Sequence, residues 1–386
     1  AEHAKLSERE RQLRGLVARA AAGDADRAAW EKQTPHAKKA KARDAEPAAA
    51  NGRNAVRAWT FSVREAADEG RDDEVIRGVR TLASEAARVD VYLILALSDY
   101  WNRAPSALKT CVGDENADDD RAFYEKAACR DAYKRHARRV VETLREYPNV
   151  AAWNLINEPR CRGCDDALQA WIDEMAAYVK SIDPRRLVTV GEEGFYARDG
   201  PSPNAGANPA PWAYTTGQDF VRNHASPNID FAAAHIWRDN WAVYSPTVTF
   251  DGARFTRNWI RAHEEDARRI LRKPVVIEEF GAAERGVFSL QRSSRDDDGR
   301  ASNPRRSPWF LRRRNERARV SGYYRTVFSH ARRSIASDAH VRGALFWNFF
   351  PDVMRGRVEE YDPYAVFASD DAFAEAARFA ASVRAS

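Results

Sequence analysis

The segment WNLINEPRCRGC, Trp153 to Cys164, sets Asn157 and Glu158 at the end of an apolar run that otherwise reads as a buried strand. Far along the chain a second apolar run, KPVVIEEFG, ends in Glu278 and Glu279. A single exposed Glu after a strand carries little information, but two strand-end carboxylates facing one cavity can share a reaction. One protonates the departing oxygen of a glycosidic bond while the other attacks the anomeric carbon, which needs the pair about 5 to 5.5 Å apart. Asn157 beside the acid suits that chemistry, because a side-chain amide can bond a sugar 2-OH as the oxocarbenium-like state forms.

Such residues need a scaffold that brings distant strand ends together. From residue 54 short apolar runs alternate with longer amphipathic stretches. NAVRAWTF, VDVYLILALSD, NVAAWNLINEP, RLVTVGEEG, IDFAAAHIW, KPVVIEEFG and VRGALFWNFF are seven strand candidates. DDEVIRGVRTLASEAARV, FYEKAACRDAYKRHARRVVETLREY, DDALQAWIDEMAAYVKSI and TRNWIRAHEEDARRILR carry helical periodicity. Continuous apolar strands alternating with helices predict an α/β fold with a helix-covered parallel sheet. Polar strand ends recur at Asn157 and Glu158, Glu192 and Glu193, His235, and Glu278 and Glu279. In a parallel barrel all strand C-termini share one face, so these residues would converge there. A doubly wound open sheet shares the alternation, although no GxGxxG or Walker pattern follows the first strand.

At 386 residues the chain fits one large barrel domain, and its 11 Trp and 44% hydrophobic content provide a sizeable core. A net charge of +5 against 62 basic and 57 acidic side chains does not mark a nucleic-acid binder. The densest basic cluster, Arg305 to Arg319, reads as a solvated loop and helix start, with an anionic contact surface as the alternative. Nothing approaches 18 consecutive apolar residues, so no transmembrane helix is expected. The charged start at Ala1 has no signal-peptide pattern and, lacking Met, reads as a processed or truncated form. One CxxC without a second pair argues against zinc. Cys111 with Cys129 and Cys161 with Cys164 are the simplest disulfides, and reduced structural thiols are the alternative. Residues 1–53 form a separate charged region, with a helix starting near Ser7 followed by a linker, ahead of a catalytic domain at 54–386.

AAWNLINEPRCRGC, LQAWIDEMAAYVKSIDPRRLVTVGEEGFY, TGQDFVRNHASPNIDFAAAHIWRDNW, WIRAHEEDARRILRKPVVIEEFG and GALFWNFF stand in the order seen in endo-β-1,4-mannanases of glycoside hydrolase family 5. The chain resembles the plant and fungal type over roughly residues 54 to 352. The resemblance implies a (β/α)8 TIM barrel and retaining hydrolysis of β-1,4-mannosidic bonds, with no metal or organic cofactor. It further implies an extracellular monomer whose partner is β-mannan, neither nucleic acid nor membrane. Glu158 in NEPR resembles the general acid/base and Glu279, directly before Phe280-Gly281, the nucleophile. Strand alternation then turns Glu278 to the other side. Arg57 resembles the strand-end Arg that keeps the nucleophile ionised. His235 resembles the His that contacts substrate and orients the site, and Arg160 an Arg holding sugar on the leaving-group side. Trp347 resembles the aromatic floor beneath the cleaved sugar. Trp59 and Trp101 line neighbouring positions or pack as ordinary core.

Two departures accompany the likeness. The family's His-x-Tyr is His235-Ile236-Trp237 here, so an indole N–H stands where a hydroxyl would bond the nucleophile. Residues 1–53 show no strand to serve as the barrel's first, and an open barrel would expose two edges. The long loop from Ala282 to Asn315 includes Trp309, which could reach a sugar from the same face. An exo-acting mannosidase, a hydrolase of another β-glycan and a non-catalytic carbohydrate-binding barrel are the rival expectations.

Overall fold

The computed structural model describes residues 54–61, 69–88, 90–113, 119–243, 252–283, 309–350, 352–358 and 362–384. All seven apolar runs are strands: β1 (Asn54–Trp59), β2 (Val91–Ala96), β3 (Val150–Asn157), β4 (Leu187–Gly191), β5 (Ala232–Ile236), β6 (Val275–Phe280) and β7 (Val341–Ala344). They pair in parallel and in sequence order, as β1-β2-β3-β4 and β5-β6-β7. The seam between the two sheets is closed by Asp230 N–H donating to the Val188 carbonyl at 2.8 Å and His235 N–H to that of Glu193 at 3.1 Å. Across the remaining gap the rings of Trp59, at the end of β1, and Trp347, beyond β7, lie 5.7 Å apart. The fold is a (β/α)8 barrel of which the described residues supply seven strands. The expectations for residues 1–53, including the absence of a first strand, concern a segment outside the described residues.

The strands read as continuously apolar because both faces are buried. On β2, Val91, Leu93 and Leu95 face the helical layer, while Ile94 packs with Ala152, Phe231, Val276 and Leu345 inside the barrel. The covering layer includes α1 (Glu69–Arg88), α2 (Ser106–Thr110), α3 (Asp120–Glu125), α4 (Ala127–Leu144), α5 (Asp165–Ile182), α6 (Phe220–His224), α7 (Arg238–Val243), α8 (Gly252–Asp266) and α9 (Trp309–Ala336). The stretch predicted as one helix from Phe123 to Tyr147 is broken at Lys126, whose extended backbone separates α3 from α4. That break lies three residues before Cys129, which is joined to Cys111. Cys161 is joined to Cys164, so both pairs are disulfides and the reduced alternative falls.

Trp309 opens α9, and the loop preceding it lies outside the described residues. Within the basic cluster, Arg319 pairs with Asp239 at 3.2 Å, so that cation is engaged within the fold. No described helix is long and apolar enough to cross a membrane.

Candidate active site

The C-terminal ends of β1, β3, β5 and β6 meet around two carboxylates. Strict alternation would let only one residue of each adjacent pair face the mouth, and irregularities at both strands relax that rule. On β3 the register with β4 shifts between Asn154 and Asn157. Glu158 follows with a left-handed backbone (φ 44°), its N–H donating to the Gly191 carbonyl at 2.7 Å. A non-glycine residue in that region is uncommon and clusters at functional sites. Both side chains then reach the mouth: Asn157 accepts from Arg57 Nη2 at 2.9 Å and donates to Asp99 Oδ1 at 2.9 Å.

On β6 a bulge does the same. Ala234 opposes Ile277 and His235 opposes Glu279, leaving Glu278 as the extra residue. Bulges re-aim side chains in this way beside active sites. Glu278 follows Val276 of the interior cluster by two residues and points inward, and the bulge turns Glu279 to the mouth beside it, so the expectation that Glu278 points to the far side of the strand is wrong. Glu278 and Glu279 both meet Arg57: Nη1 pairs with Glu279 Oε1, and Nε lies 3.3 Å from Glu278 Oε2.

Glu158 has partners on both oxygens. Oε2 accepts from the Trp101 indole N–H at 2.6 Å, and Oε1 lies 2.7 Å from His235 Nδ1. The same Nδ1 stands 3.6 Å from Glu279 Oε2. An oxygen of Glu158 and an oxygen of Glu279 thus come within 4.8 Å of each other, on either side of one imidazole. Burial raises the pKa of Glu158, against the opposing pull of the Trp101 bond and the Arg160 charge. Glu279 is also raised by burial, with His235 and Arg57 opposing. Burial pushes His235 down to about 4, so its imidazole is neutral at ordinary pH.

The glutamates and His235 form the one group of His, Cys, Asp and Glu side chains, among the described residues, spaced to hold a cation. Its donor set is already engaged: Arg57 supplies the positive charge at Glu279, and Trp101 occupies the second oxygen of Glu158. That arrangement suits a charge-balanced carboxylate pair.

The remaining predicted residues surround this centre. Arg160 pairs with Glu193 and lies over the ring of Trp101, whose indole N–H bonds Glu158, at 4.7 Å. Trp101 is 51% exposed, so its ring is open to solvent while its N–H is spent on Glu158. Trp59 packs on Trp347 at 5.7 Å and under the Arg57 guanidinium at 4.7 Å. Trp237 stands edge-on to Tyr364 at 4.9 Å and to Trp347 at 6.5 Å. Its indole makes ring contacts and not the hydrogen bond to Glu279 that the sequence comparison allowed, and Arg57 with His235 serve that carboxylate instead.

Sequence reasoning missed Asp99, Asn154 and Gln218. Asp99 follows the apolar run LILALS, so the strand-end signal that marked Glu158 marks it too. Asn154 is a lone amide inside an apolar strand, donating to Glu278 Oε2 at 2.6 Å. Gln218 lies in a loop with no local signal, donating to Glu193 Oε2 at 2.5 Å and to the Pro159 carbonyl at 2.8 Å.

Two substitutions probe this geometry. A Cβ on Gly191 would stand 2.6 Å from both Arg57 Nη2 and Asn154 Nδ2. Gly191→Ala should therefore displace Arg57 and cost roughly tenfold to a hundredfold in kcat/KM, with the circular dichroism spectrum unchanged. Trp101→Phe removes a bond that favours ionised Glu158. The alkaline limb of kcat/KM should move to higher pH, and an unmoved limb would show that the indole N–H has no hold on the acid.

A family model described as GH family 5 beta-mannosidase-like matches residues 48–371. Mannan endo-1,4-beta-mannosidase 8 of Oryza sativa subsp. japonica is 32% identical over 340 residues, 83% of this chain and 82% of that protein. Mannan endo-1,4-beta-mannosidase 1 of Arabidopsis thaliana is 35% identical over 268 residues, 64% of each. Among solved structures, the endo-beta-1,4-mannanase from Thermotoga petrophila superposes with TM-score 0.62 at 22% identity, covering 86% of this chain and 70% of that one. The fold, the paired strand-end glutamates and these likenesses agree, and the chain belongs to the beta-mannosidase-like group of glycoside hydrolase family 5.

Proposed function

We propose that this protein is a retaining endo-β-1,4-mannanase acting on mannan, glucomannan or galactomannan. The observation that carries the reading is the approach of Glu158 and Glu279 oxygens to within 4.8 Å. Retaining pairs stand about 5 to 5.5 Å apart, whereas inverting pairs leave roughly 6.5 to 9.5 Å for a water. Glu158, its proton favoured by burial, protonates the leaving oxygen. Glu279, held by Arg57, attacks the anomeric carbon and forms the glycosyl-enzyme. Glu158, now ionised, takes a proton from the water that releases the sugar.

The other side chains position the sugar. Asn157 is fixed by Arg57 and Asp99 so that its amide can face the 2-OH. His235 sits between the two carboxylates. Trp347, flanked by Trp59 and Trp237, offers a flat ring for the apolar face of a pyranose. Arg160 and the open ring of Trp101 lie on the side of the acid, where the leaving sugar departs. Neither cofactor nor metal enters this chemistry. Two disulfides accord with a secreted protein.

The test is the product pattern from mannohexaose, with the anomeric configuration followed by proton NMR. The reading expects mixed internal cleavage and β-anomers formed first. Release of mannose alone would indicate exo action, initial α-anomers would indicate inversion, and binding without new reducing ends would indicate a non-catalytic barrel.

A further inference from the structure

Resting on the assignment of Glu279 as nucleophile, we propose that Glu278 is a positioning residue for the reaction. Uncharged, it holds Arg57 against Glu279, and ionised, it competes with Glu279 for the same guanidinium.

Glu278, two residues beyond Val276 of the interior cluster, points into the barrel interior, where it is 1% exposed. Oε2 accepts from Asn154 Nδ2 at 2.6 Å and lies 3.3 Å from Arg57 Nε, an ion-pair contact without hydrogen-bond geometry, while Oε1 has no hydrogen-bond partner among the described residues. Arg57 turns its remaining edge to Glu279 and Asn157. One guanidinium therefore bridges carboxylates on successive residues in a buried site. Two like charges so placed cannot both ionise without large cost, so one carries a proton.

The surroundings decide which. Glu279 also has His235 beside it, whereas Glu278 has a neutral amide and an unpaired oxygen. Burial pushes Glu278 up to about 7, with Arg57 opposing and Glu279 adding to the rise. Among the described residues, the charged groups facing it are Arg57 from β1 and Glu279 from its own strand, with Asn154 from β3. On the flanking strands, His235 of β5 turns Nδ1 to Glu158 and Glu279, and Arg342 of β7 pairs with Asp338.

Two consequences follow from the sign of that shift. Below about pH 7 the Arg57 charge acts on Glu279, and above it the guanidinium is divided. A folded-state pKa of about 7 against an ordinary 4.5 means that the folded chain retains a proton the unfolded chain releases. Stability is then lost as pH rises from 4.5 to 7, with no such loss below that window. A residue kept for packing alone imposes neither effect.

The experiment compares Glu278→Leu, Glu278→Gln and Glu279→Ala in the full chain, by pH profiles on mannohexaose and by Tm at pH 5 and pH 8. Glu278→Leu should lower kcat about tenfold or more and move the acid limb of kcat/KM to higher pH, with KM little changed. Glu278→Gln keeps the acceptor for Asn154 and an uncharged polar group beside Arg57 Nε, so it should recover most of that loss at pH 5 and extend the alkaline limb. Its Tm relative to wild type should be more favourable at pH 8 than at pH 5. The proposal is overturned if the acid limb of Glu278→Leu stays in place, if Glu278→Gln is equally impaired, or if the Tm gap ignores pH. Should Glu278→Leu fail to fold, the profile and Tm gap of Glu278→Gln decide. Activity in Glu279→Ala would instead overturn the nucleophile assignment beneath the proposal.

Discussion

Glu279→Ala should abolish mannan hydrolysis, lowering kcat on mannohexaose by on the order of 10⁴-fold or more, the scale seen when a covalent nucleophile is removed. The loss is that large because no neighbour can take over. Glu278 lies against Arg57 and Asn154 inside the barrel, and the Glu158 oxygens are engaged by His235 and Trp101. Removing one member of a buried ion pair is usually destabilising by about 3 to 5 kcal/mol, because the other charge is stranded. Here Glu278 stays within 3.3 Å of Arg57 and can ionise to compensate it, so the variant should fold. Azide, small enough for the vacated space, should restore turnover of an activated aryl β-mannoside and give the α-mannosyl azide. Near-wild-type activity, or rescue yielding the β-azide, would contradict the assignment.

The second large effect separates the two steps. On the proposed mechanism Glu158→Ala removes the acid that natural leaving groups require, and kcat on mannohexaose should fall by about 10² to 10⁴-fold. A 2,4-dinitrophenyl β-mannoside needs no proton to depart, so its first step should survive. The reaction then stalls at the glycosyl-enzyme, which lacks a base to activate water, and a burst of dinitrophenol should precede slow turnover. The measurement is stopped-flow absorbance on the aryl substrate beside reducing-end release from mannohexaose. Equal losses on both substrates, with no burst, would place Glu158 outside proton transfer. In the wild-type enzyme the same roles give a bell-shaped profile. On the proposed roles the acid limb should follow ionisation of Glu279 and the alkaline limb deprotonation of Glu158, joined by ionisation of Glu278, and burial should move these to higher pH than for an exposed carboxyl.

The barrel was legible because parallel strands are buried on both faces and so stand out as apolar runs, and all seven formed strands. The polar residues ending those runs were legible for the same reason. Asn157, Glu158, His235 and Glu279 interrupt a pattern that has no structural use for them, and they meet in space. Alternation from Val276 turns Glu278 inward, and it fails to keep Glu279 apart because a bulge is a register event between two strands, here seen only when β6 is paired with β5. Trp101 is a related case. Its exposure fits a sugar platform, but its bond to Glu158 joins a loop after β2 to the end of β3, a contact that local sequence does not encode. Gln218 and Asn154 hold their neighbours through side-chain amides, whose partners depend wholly on the fold. Gly191 was passed over inside VTVGEEG, although the absence of its Cβ is what lets Arg57 and Asn154 approach.

The central claim is that Glu279 forms a covalent bond to mannose during turnover. The most direct test is to incubate the enzyme with a 2-deoxy-2-fluoro-β-mannosyl fluoride, which slows both steps but leaves the first faster, and to map the label by peptide mass spectrometry. A single fluoromannosyl group on Glu279, in the peptide containing VVIEEFG, is the predicted result. A label on Glu278 or Glu158, or time-dependent substrate turnover with no labelled peptide, would contradict it.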